Sequence, residues 1–214
     1  MKPVCLVLGA GAGIGGNVAY KFSQEGFHSC ICRRTDQEGL NLLINKIEED
    51  GGSATGFLLD AIKDNVIEEL IEDIEKNVGP IEVIIYILGA QTGMKFLNET
   101  SLKEFEWGWK IANLGLFRVA KTICPVMEKR GKGTILVTSA TAAMRGNKNQ
   151  HSHASAMGGR RMLCQSLSAE FSIKGIHIAH IIIDGAIDAP GLRRILVDKA
   201  VSYTHLTLPT ILLV

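Results

Sequence analysis

The clearest candidate for chemistry is a glycine-rich turn near the start of the chain. The apolar run Val4–Leu8 is followed by Gly9-Ala-Gly-Ala-Gly-Ile-Gly-Gly16 and then by a helical pattern over residues 17–25. A turn of this kind between a strand and a helix lets the backbone approach a pyrophosphate, because free N–H groups at the positive end of the helix bind its charge. The pattern predicts a nucleotide-binding turn.

Two glycine spacings fit this turn. Gly11, Gly13 and Gly16 make the pattern G-x-G-x-x-G, whereas Gly9, Gly13 and Gly15 make the pattern G-x-x-x-G-x-G. We prefer the second spacing because it begins directly after the strand, where the tight turn is needed. The alternative is a merely flexible turn, but the position after the first strand of a β-α-β unit favours nucleotide binding.

Two arginines follow the second apolar run, at the position that discriminates between nicotinamide cofactors. NAD-specific folds place an acidic residue at the end of the second strand, where it binds the ribose hydroxyls. Here that position is Cys32, and Arg33 and Arg34 follow it. A guanidinium group binds a 2′-phosphate in bidentate fashion. We therefore predict NADP(H) rather than NAD(H); the alternative is a pair of solvated loop arginines.

Short apolar runs rich in Val and Ile predict the strands that position these residues. They are continuous rather than alternating, which is typical of strands buried on both faces of a parallel sheet. The runs are Val4–Leu8, His28–Cys32, Ala54–Leu58, Ile81–Leu88, Thr134–Thr138 and Ile176–Ile183. Helical patterns lie between them, and Ser101 with Glu104 predicts a capping box at the start of one helix. Residues 1–200 are thus predicted to form a single doubly wound α/β domain with a Rossmann-like parallel sheet.

Composition and charge exclude several other classes of protein. The 214 residues include 23 Lys and Arg against 22 Asp and Glu, a net charge of +1. This balance argues against a nucleic-acid binder and against a polybasic membrane-surface protein. The five cysteines are an odd number and are scattered, unlike a secreted disulfide framework. No stretch reaches the length of a membrane span, so we expect a cytoplasmic protein.

The order of these features resembles the short-chain dehydrogenase/reductase family over residues 4–198. The resemblance rests on the glycine turn, on Asp60 after the third strand, on Gly89 and Ala90 after the fourth, and on Asn113 in a later helix. It implies an oxidoreductase that transfers hydride between NADP(H) and a small carbonyl or alcohol substrate, with Asp60 at the adenine ring and Gly89 in the cofactor cleft. The predicted cofactor-binding residues are Gly9, Gly13, Ile14, Gly15, Arg33, Arg34, Asp60, Gly89 and Ala90.

The chain departs from the family at the catalytic residues, which are a Ser, a Tyr and a Lys helped by an Asn. By the resemblance, His153 stands at the Tyr position and Met157 at the Lys position, while the Ser position falls on Ala140, next to Ser139. Asn113 matches the family's Asn. The catalytic candidates are therefore Ser139, His153 and Asn113, and we predict no metal.

Three explanations of this departure stay open. In the first, His153 replaces Tyr as proton donor, because an imidazole with a pKa of about 6.5 donates at neutral pH without a Lys neighbour. Ser139 would then polarise the substrate through a register one residue from the family's. In the second, the chain binds NADP(H) without chemistry, as a regulator or partner subunit, because Met157 cannot hydrogen-bond ribose hydroxyls. In the third, residues 147–160 contain sequence errors.

The helix that carries His153 also favours a homo-oligomer. Ala154, Ser155 and Ala156 are small enough to let two helices approach closely. By the resemblance, this helix commonly forms the dimer interface in the family.

Residues 201–214 differ from the rest of the chain because they include no Lys, Arg, Asp or Glu. Val201 to Thr210 is also what the codons GTC TCT TAT ACA CAT CTG ACG CTG CCG ACG encode, a string that resembles a transposase adaptor used in sequencing libraries. We expect the native chain to stop near Ala200, residues 201–214 to be a non-native tail, and the family's last strand to be missing.

Overall fold

Parallel strands form one twisted sheet with helices on both faces. The computed structural model describes residues 1–89, 95–185 and 187. The strands are β1 (Val4–Leu8), β2 (His28–Arg33), β3 (Ser53–Leu58), β4 (Ile81–Tyr86), β5 (Gly133–Ala140) and β6 (Ile176–Ile183). They lie in the order β3-β2-β1-β4-β5-β6, and each adjacent pair is parallel. The predicted doubly wound, Rossmann-like α/β fold is confirmed.

Each connection between strands contains at least one helix. The helices are α1 (Ile14–Gln24), α2 (Gln37–Glu49), α3 (Val66–Asp73), α4 (Leu102–Trp109), α5 (Gly115–Arg130) and α6 (His151–Phe171). A π-helical turn over Ile74–Val78 extends α3, and a second over Lys110–Leu114 joins α4 directly to α5. The predicted capping box starts α4: the Ser101 hydroxyl accepts from the Glu104 N–H at 3.2 Å, and the Glu104 carboxylate accepts from the Ser101 N–H at 3.1 Å.

Apolar side chains bury both faces of the sheet. One cluster lies between the sheet and helices α3, α5 and α6, and it includes Leu6, Ile84 and Val137. The other lies under α1 and α2 and includes Val7 and Ile31. Every residue of β1 is buried, which explains its continuous apolar sequence. Because both faces of the sheet are buried, the positions of the central strands and the direction of their ends are held in place.

Several expectations concern residues outside the described part of the chain. Ala90 and the segment 201–214 lie there, and so does the region in which the family's last strand was expected to be missing. Within the described residues, the helices are too short or too polar to cross a bilayer.

Candidate functional site

A cleft of about 370 Å³ opens at the carboxyl end of β1. It lies where the strand order reverses, because β2 follows on one side of β1 and β4 lies on the other. In doubly wound sheets the loops diverge at this point and ligands bind between them. The lining includes the glycine turn, the loop after β2, Asp60 after β3, and Leu88 after β4.

The glycine turn is packed too closely for side chains at two positions of the preferred spacing. Gly9 has a φ of +102°, in the region that favours glycine. A Cβ atom on Gly15 would lie 2.7 Å from the Ala10 Cα and closer still to the Gly9 carbonyl oxygen. Gly16 is also confined, since its Cβ atom would lie 2.8 Å from the Gly11 oxygen, but a Cβ atom on Gly11 would have no neighbour within 4 Å. The close packing at Gly9 and Gly15 therefore favours the spacing that starts at Gly9.

The start of helix α1 fits a pyrophosphate. Gly13 is the N-cap residue and has no side chain to accept a hydrogen bond from the first turn, which contains no acidic residue. The first N–H groups of an α-helix have no acceptor within the helix, and they lie at the positive end of its dipole. The absent Cβ atoms at Gly9 and Gly15 let the turn pack closely against Leu88 and against its own backbone. Gly13, Ile14 and Gly15, which the sequence predicts to bind the pyrophosphate, lie at this helix start, directly after the cleft-lining residues Gly9 to Ala12.

The two arginines after β2 have different surroundings. The Arg33 Nε donates to the Ala10 carbonyl at 2.7 Å, and a terminal nitrogen of Arg33 forms an ion pair with Asp36. The Arg33 side chain is only 10 % exposed, whereas Arg34 is exposed at the rim of the cleft. Arg33 therefore ties the glycine turn to the loop after β2, and Arg34 is the more accessible cation.

Asp36 both pairs with Arg33 and caps α2. Its carboxylate accepts from the Gly39 N–H at 2.9 Å. This backbone hydrogen bond, followed by the charge of Arg33, holds the pKa of Asp36 below its usual value. The cleft thus contains an ionised carboxylate as well as two guanidinium groups near the predicted ribose position.

The remaining cofactor candidates that the structure describes, Asp60 and Gly89, follow β3 and β4, which lie on opposite sides of β1 at the cleft. Asp60 lines it, and its carboxylate accepts from the Ile62 N–H at 3.4 Å. Gly89 is exposed directly after Leu88, and a Cβ atom there would have no neighbour within 4 Å. Asp60 is therefore in the cleft, and Gly89 adjoins it.

The catalytic candidates lie on helix α6 or contact it. The Ser139 hydroxyl is buried and lies 3.6 Å from the Met157 sulfur. The Asn113 side chain, in the π-helical turn, donates from Nδ2 to the Ala156 carbonyl at 3.1 Å. His153 is partly buried one helical turn before Met157, on the same side of the helix. Ser139 and Asn113 thus each contact α6, and none of the three candidates is among the described residues that line the cleft.

Sequence reasoning missed Arg160, which is 1 % exposed and lies one turn beyond Met157 on α6. Its Nε donates to the Ala112 carbonyl at 3.2 Å, its Nη1 to the Thr138 carbonyl at 2.8 Å, and its Nη2 to the Leu88 carbonyl. The guanidinium also lies over the Tyr86 ring. Sequence spacing alone does not distinguish Arg160 from the adjacent Arg161.

The described residues contain no group of three or more His, Cys, Asp and Glu side chains that could hold a metal ion.

Comparison with known proteins identifies the family. The short chain dehydrogenase family model matches residues 3–197, so the chain belongs to the short-chain dehydrogenase/reductase family of oxidoreductases and has its Rossmann-like, nucleotide-binding fold. It is 27 % identical over 189 residues to the 3-oxoacyl-[acyl-carrier-protein] reductase FabG of Thermotoga maritima, covering 87 % of this chain and 75 % of that protein.

Solved structures of this fold carry either nicotinamide cofactor. ElxO with NADP bound matches with a TM-score of 0.83 and 24 % identity, covering 92 % of this chain and 78 % of that one. NAD⁺-bound xylitol dehydrogenase matches with a TM-score of 0.84 and 21 % identity, covering 91 % of this chain and 74 % of that one. At these identities the likeness shows the fold alone.

The packing of the turn predicts a difference between two alanine variants. Gly15→Ala places its Cβ atom against Ala10 and the Gly9 carbonyl, and the resulting displacement disrupts the start of α1. We expect its dissociation constant for NADPH, measured by fluorescence titration, to rise at least about tenfold, equivalent to about 1.4 kcal/mol. Gly11→Ala is the matched control and should bind within about twofold of the wild type, because its Cβ atom meets nothing. Equal loss in both variants would contradict the preferred glycine spacing.

Proposed function

We propose that this chain is an NADP(H)-dependent oxidoreductase that interconverts a carbonyl and an alcohol on a small molecule, with His153 as proton donor. The observation that carries the proposal is the geometry of α6, which presents His153 one turn before Met157 while Met157 contacts Ser139. By the resemblance His153 stands at the family's proton-donor position and Ser139 lies one residue before its Ser position, so the two candidates carry groups that can donate a proton and a hydrogen bond.

Arg34 supports the choice of NADP(H). It is exposed at the rim of the cleft, so its guanidinium is available to a 2′-phosphate without breaking a contact inside the protein. Arg33 adds positive charge nearby, although Asp36 and the Ala10 carbonyl take up part of its hydrogen-bonding capacity. Arg34 is therefore assigned as the main ligand of the 2′-phosphate and Arg33 as the residue that positions the turn.

The proposed mechanism divides the work between side chains. When bound, the nicotinamide cofactor supplies the hydride in reduction and accepts it in oxidation. Protonated His153 donates a proton to the carbonyl oxygen as negative charge develops there, and Ser139 donates a hydrogen bond to the same oxygen. Asn113 holds α6 in place through the Ala156 carbonyl. In the oxidation direction neutral His153 accepts the proton.

One observation favours a second candidate function, a regulator or partner subunit that binds NADP(H) without turnover. Met157 stands where the family has its Lys, is 2 % exposed, and contacts the Ser139 hydroxyl. A thioether is at most a weak acceptor, so it cannot donate to the ribose hydroxyls as an ammonium does. The assays below separate the two functions.

Cofactor choice is tested with Arg34→Ala. A hydrogen bond to a charged group contributes about 1.5–3 kcal/mol, so we expect the dissociation constant for NADPH to rise about tenfold. The constant for NADH should change less than about twofold, because NADH has no 2′-phosphate for Arg34 to bind. Titration of both cofactors against wild type and variant measures this. Tighter binding of NADH than NADPH by the wild type would refute NADP(H) preference.

Proton donation is tested with His153→Ala, and His151→Ala is the matched control because His151 is exposed on the same first turn of α6. General acid catalysis contributes about 10²–10⁴-fold. We expect NADPH-dependent reduction of aldehydes and ketones to fall at least 100-fold in His153→Ala and to stay near wild type in His151→Ala. Tight NADPH binding with no turnover on any substrate would support the regulator.

We further propose a homo-oligomer built on the continuous helix α4–α5. Phe105, Trp109 and Phe117 are each more than two-fifths exposed on this helix, and Leu102 is 89 % exposed. Contiguous exposed apolar side chains commonly mark protein interfaces. Ala156, expected at the interface from its small size, instead packs inside the chain. Light scattering should give a dimer or larger assembly for the wild type and a monomer for Trp109→Glu; a monomeric wild type at micromolar concentration would refute the proposal.

A cytoplasmic location is also proposed. The five cysteines are free and buried. Burial raises the pKa of the Cys30 and Cys164 thiols to about 12, so both remain protonated and unreactive at neutral pH. Unpaired cysteines of this kind are typical of reducing compartments.

A further inference from the structure

We propose that Arg160 is a positioning residue that holds together the three segments leading into Gly89, Asn113 and Ser139, a role that rests on the proposed cofactor binding. Arg160 is almost fully buried and donates from three different nitrogens to the carbonyls of Leu88, Ala112 and Thr138. These carbonyls belong to three separate parts of the chain: the segment after β4, the π-helical turn, and β5. One planar side chain therefore joins three elements that have no sequence proximity.

The positions of these carbonyls connect Arg160 to the site. Each lies in the peptide group that leads directly into a predicted site residue, because the residues that follow are Gly89, Asn113 and Ser139. A shift of any of these carbonyls rotates the next residue's backbone. Through one peptide group each, Arg160 is thus linked to Gly89 in the predicted cofactor cleft, to Asn113, which holds α6, and to Ser139, the candidate hydroxyl.

The charge of Arg160 is balanced by dipoles and not by an acid. No carboxylate lies within ion-pair distance of Arg160 in the part of the chain that the structure describes. Its guanidinium lies 5.3 Å from the centre of the Tyr86 ring, at a distance at which a cation is attracted to an aromatic face. Burial lowers the pKa of Arg160, but arginine keeps its proton in proteins. The buried cation is therefore compensated by three carbonyls and one ring.

The arrangement requires arginine and not another cation. Guanidinium carries five N–H donors in a fixed plane, whereas an ammonium is a compact donor on a flexible stem. Tyr86 completes the arrangement by placing its ring against the guanidinium and donating its own hydroxyl to the Ile111 carbonyl, next to Ala112.

Arg130, which lies near the opposite end of β4, is a matched control. It donates at 2.8 Å to the Ile81 carbonyl, where β4 begins, and forms an ion pair with Glu75. Arg130 and Arg160 therefore both bind backbone carbonyls near the two ends of the same strand. Only Arg160 lies at the carboxyl end, where the cleft opens, so loss of Arg130 reports the general effect of removing a structural arginine.

The experiment compares Arg160→Met with Arg130→Met in two measurements. The dissociation constant for NADPH should rise at least about tenfold in Arg160→Met and stay within about twofold in Arg130→Met. Hydrogen exchange in the absence of cofactor should show faster exchange in peptides spanning residues 86–89, 111–114 and 137–140 together in Arg160→Met. Arg130→Met should leave these three peptides unchanged and accelerate exchange around residue 81.

The outcomes that would overturn the proposal are specific. NADPH binding in Arg160→Met within about twofold of the wild type refutes it, and so does faster exchange in only one of the three peptides. If Arg160→Met does not fold, Arg160→Lys is compared with Arg130→Lys: affinity should fall at least threefold in the first alone, and an equal effect in both refutes a positioning role. Failure of the proposed function gives a different result, because the wild type itself would then bind neither NADPH nor NADH. The hydrogen-exchange comparison needs no cofactor and would still test the role of Arg160.

Discussion

The reversal of strand order beside β1 is the constraint on which the rest of the structure depends. The chain adds β2 and β3 on one side of β1 and then returns to place β4 on the other. Because all strands are parallel, their carboxyl ends meet at one edge, and the loops after β1 and β4 must separate. The cleft is the space left by that separation. The glycine turn follows from the same constraint, because α1 must begin shortly after β1 ends.

Three arginines near the carboxyl ends of the strands have different surroundings. Arg34 is exposed at the rim of the cleft, whereas the Arg33 side chain is only 10 % exposed and is held by Asp36 and the Ala10 carbonyl. Arg160 is buried and is surrounded by carbonyls and by the Tyr86 ring. Arg34 is therefore the most accessible of the three to an external phosphate, and the other two are committed to contacts within the protein.

Helix α6 places a thioether and a buried cation one turn apart. The Met157 sulfur contacts the Ser139 hydroxyl, and the Arg160 guanidinium binds three backbone carbonyls. By the resemblance, Met157 stands at the family's Lys position and His153 at its Tyr position. Under the proposed function, His153 therefore supplies the acid–base group that Tyr supplies in the family.

Sequence alone determined the fold class, the glycine turn and most strand bounds. Continuous apolar runs report burial on both faces, and β1 and β6 were predicted with the bounds that the structure has. The sequence overextended β4 to Leu88: the Ile87 N–H still donates to the Leu8 carbonyl beyond the end of the strand, whereas Leu88 lines the cleft. Only tertiary structure decided the different surroundings of Arg33 and Arg34, the contact of Ser139 with Met157, and the burial of Arg160. Each of these depends on residues distant along the chain, and periodicity or spacing reports only the local environment.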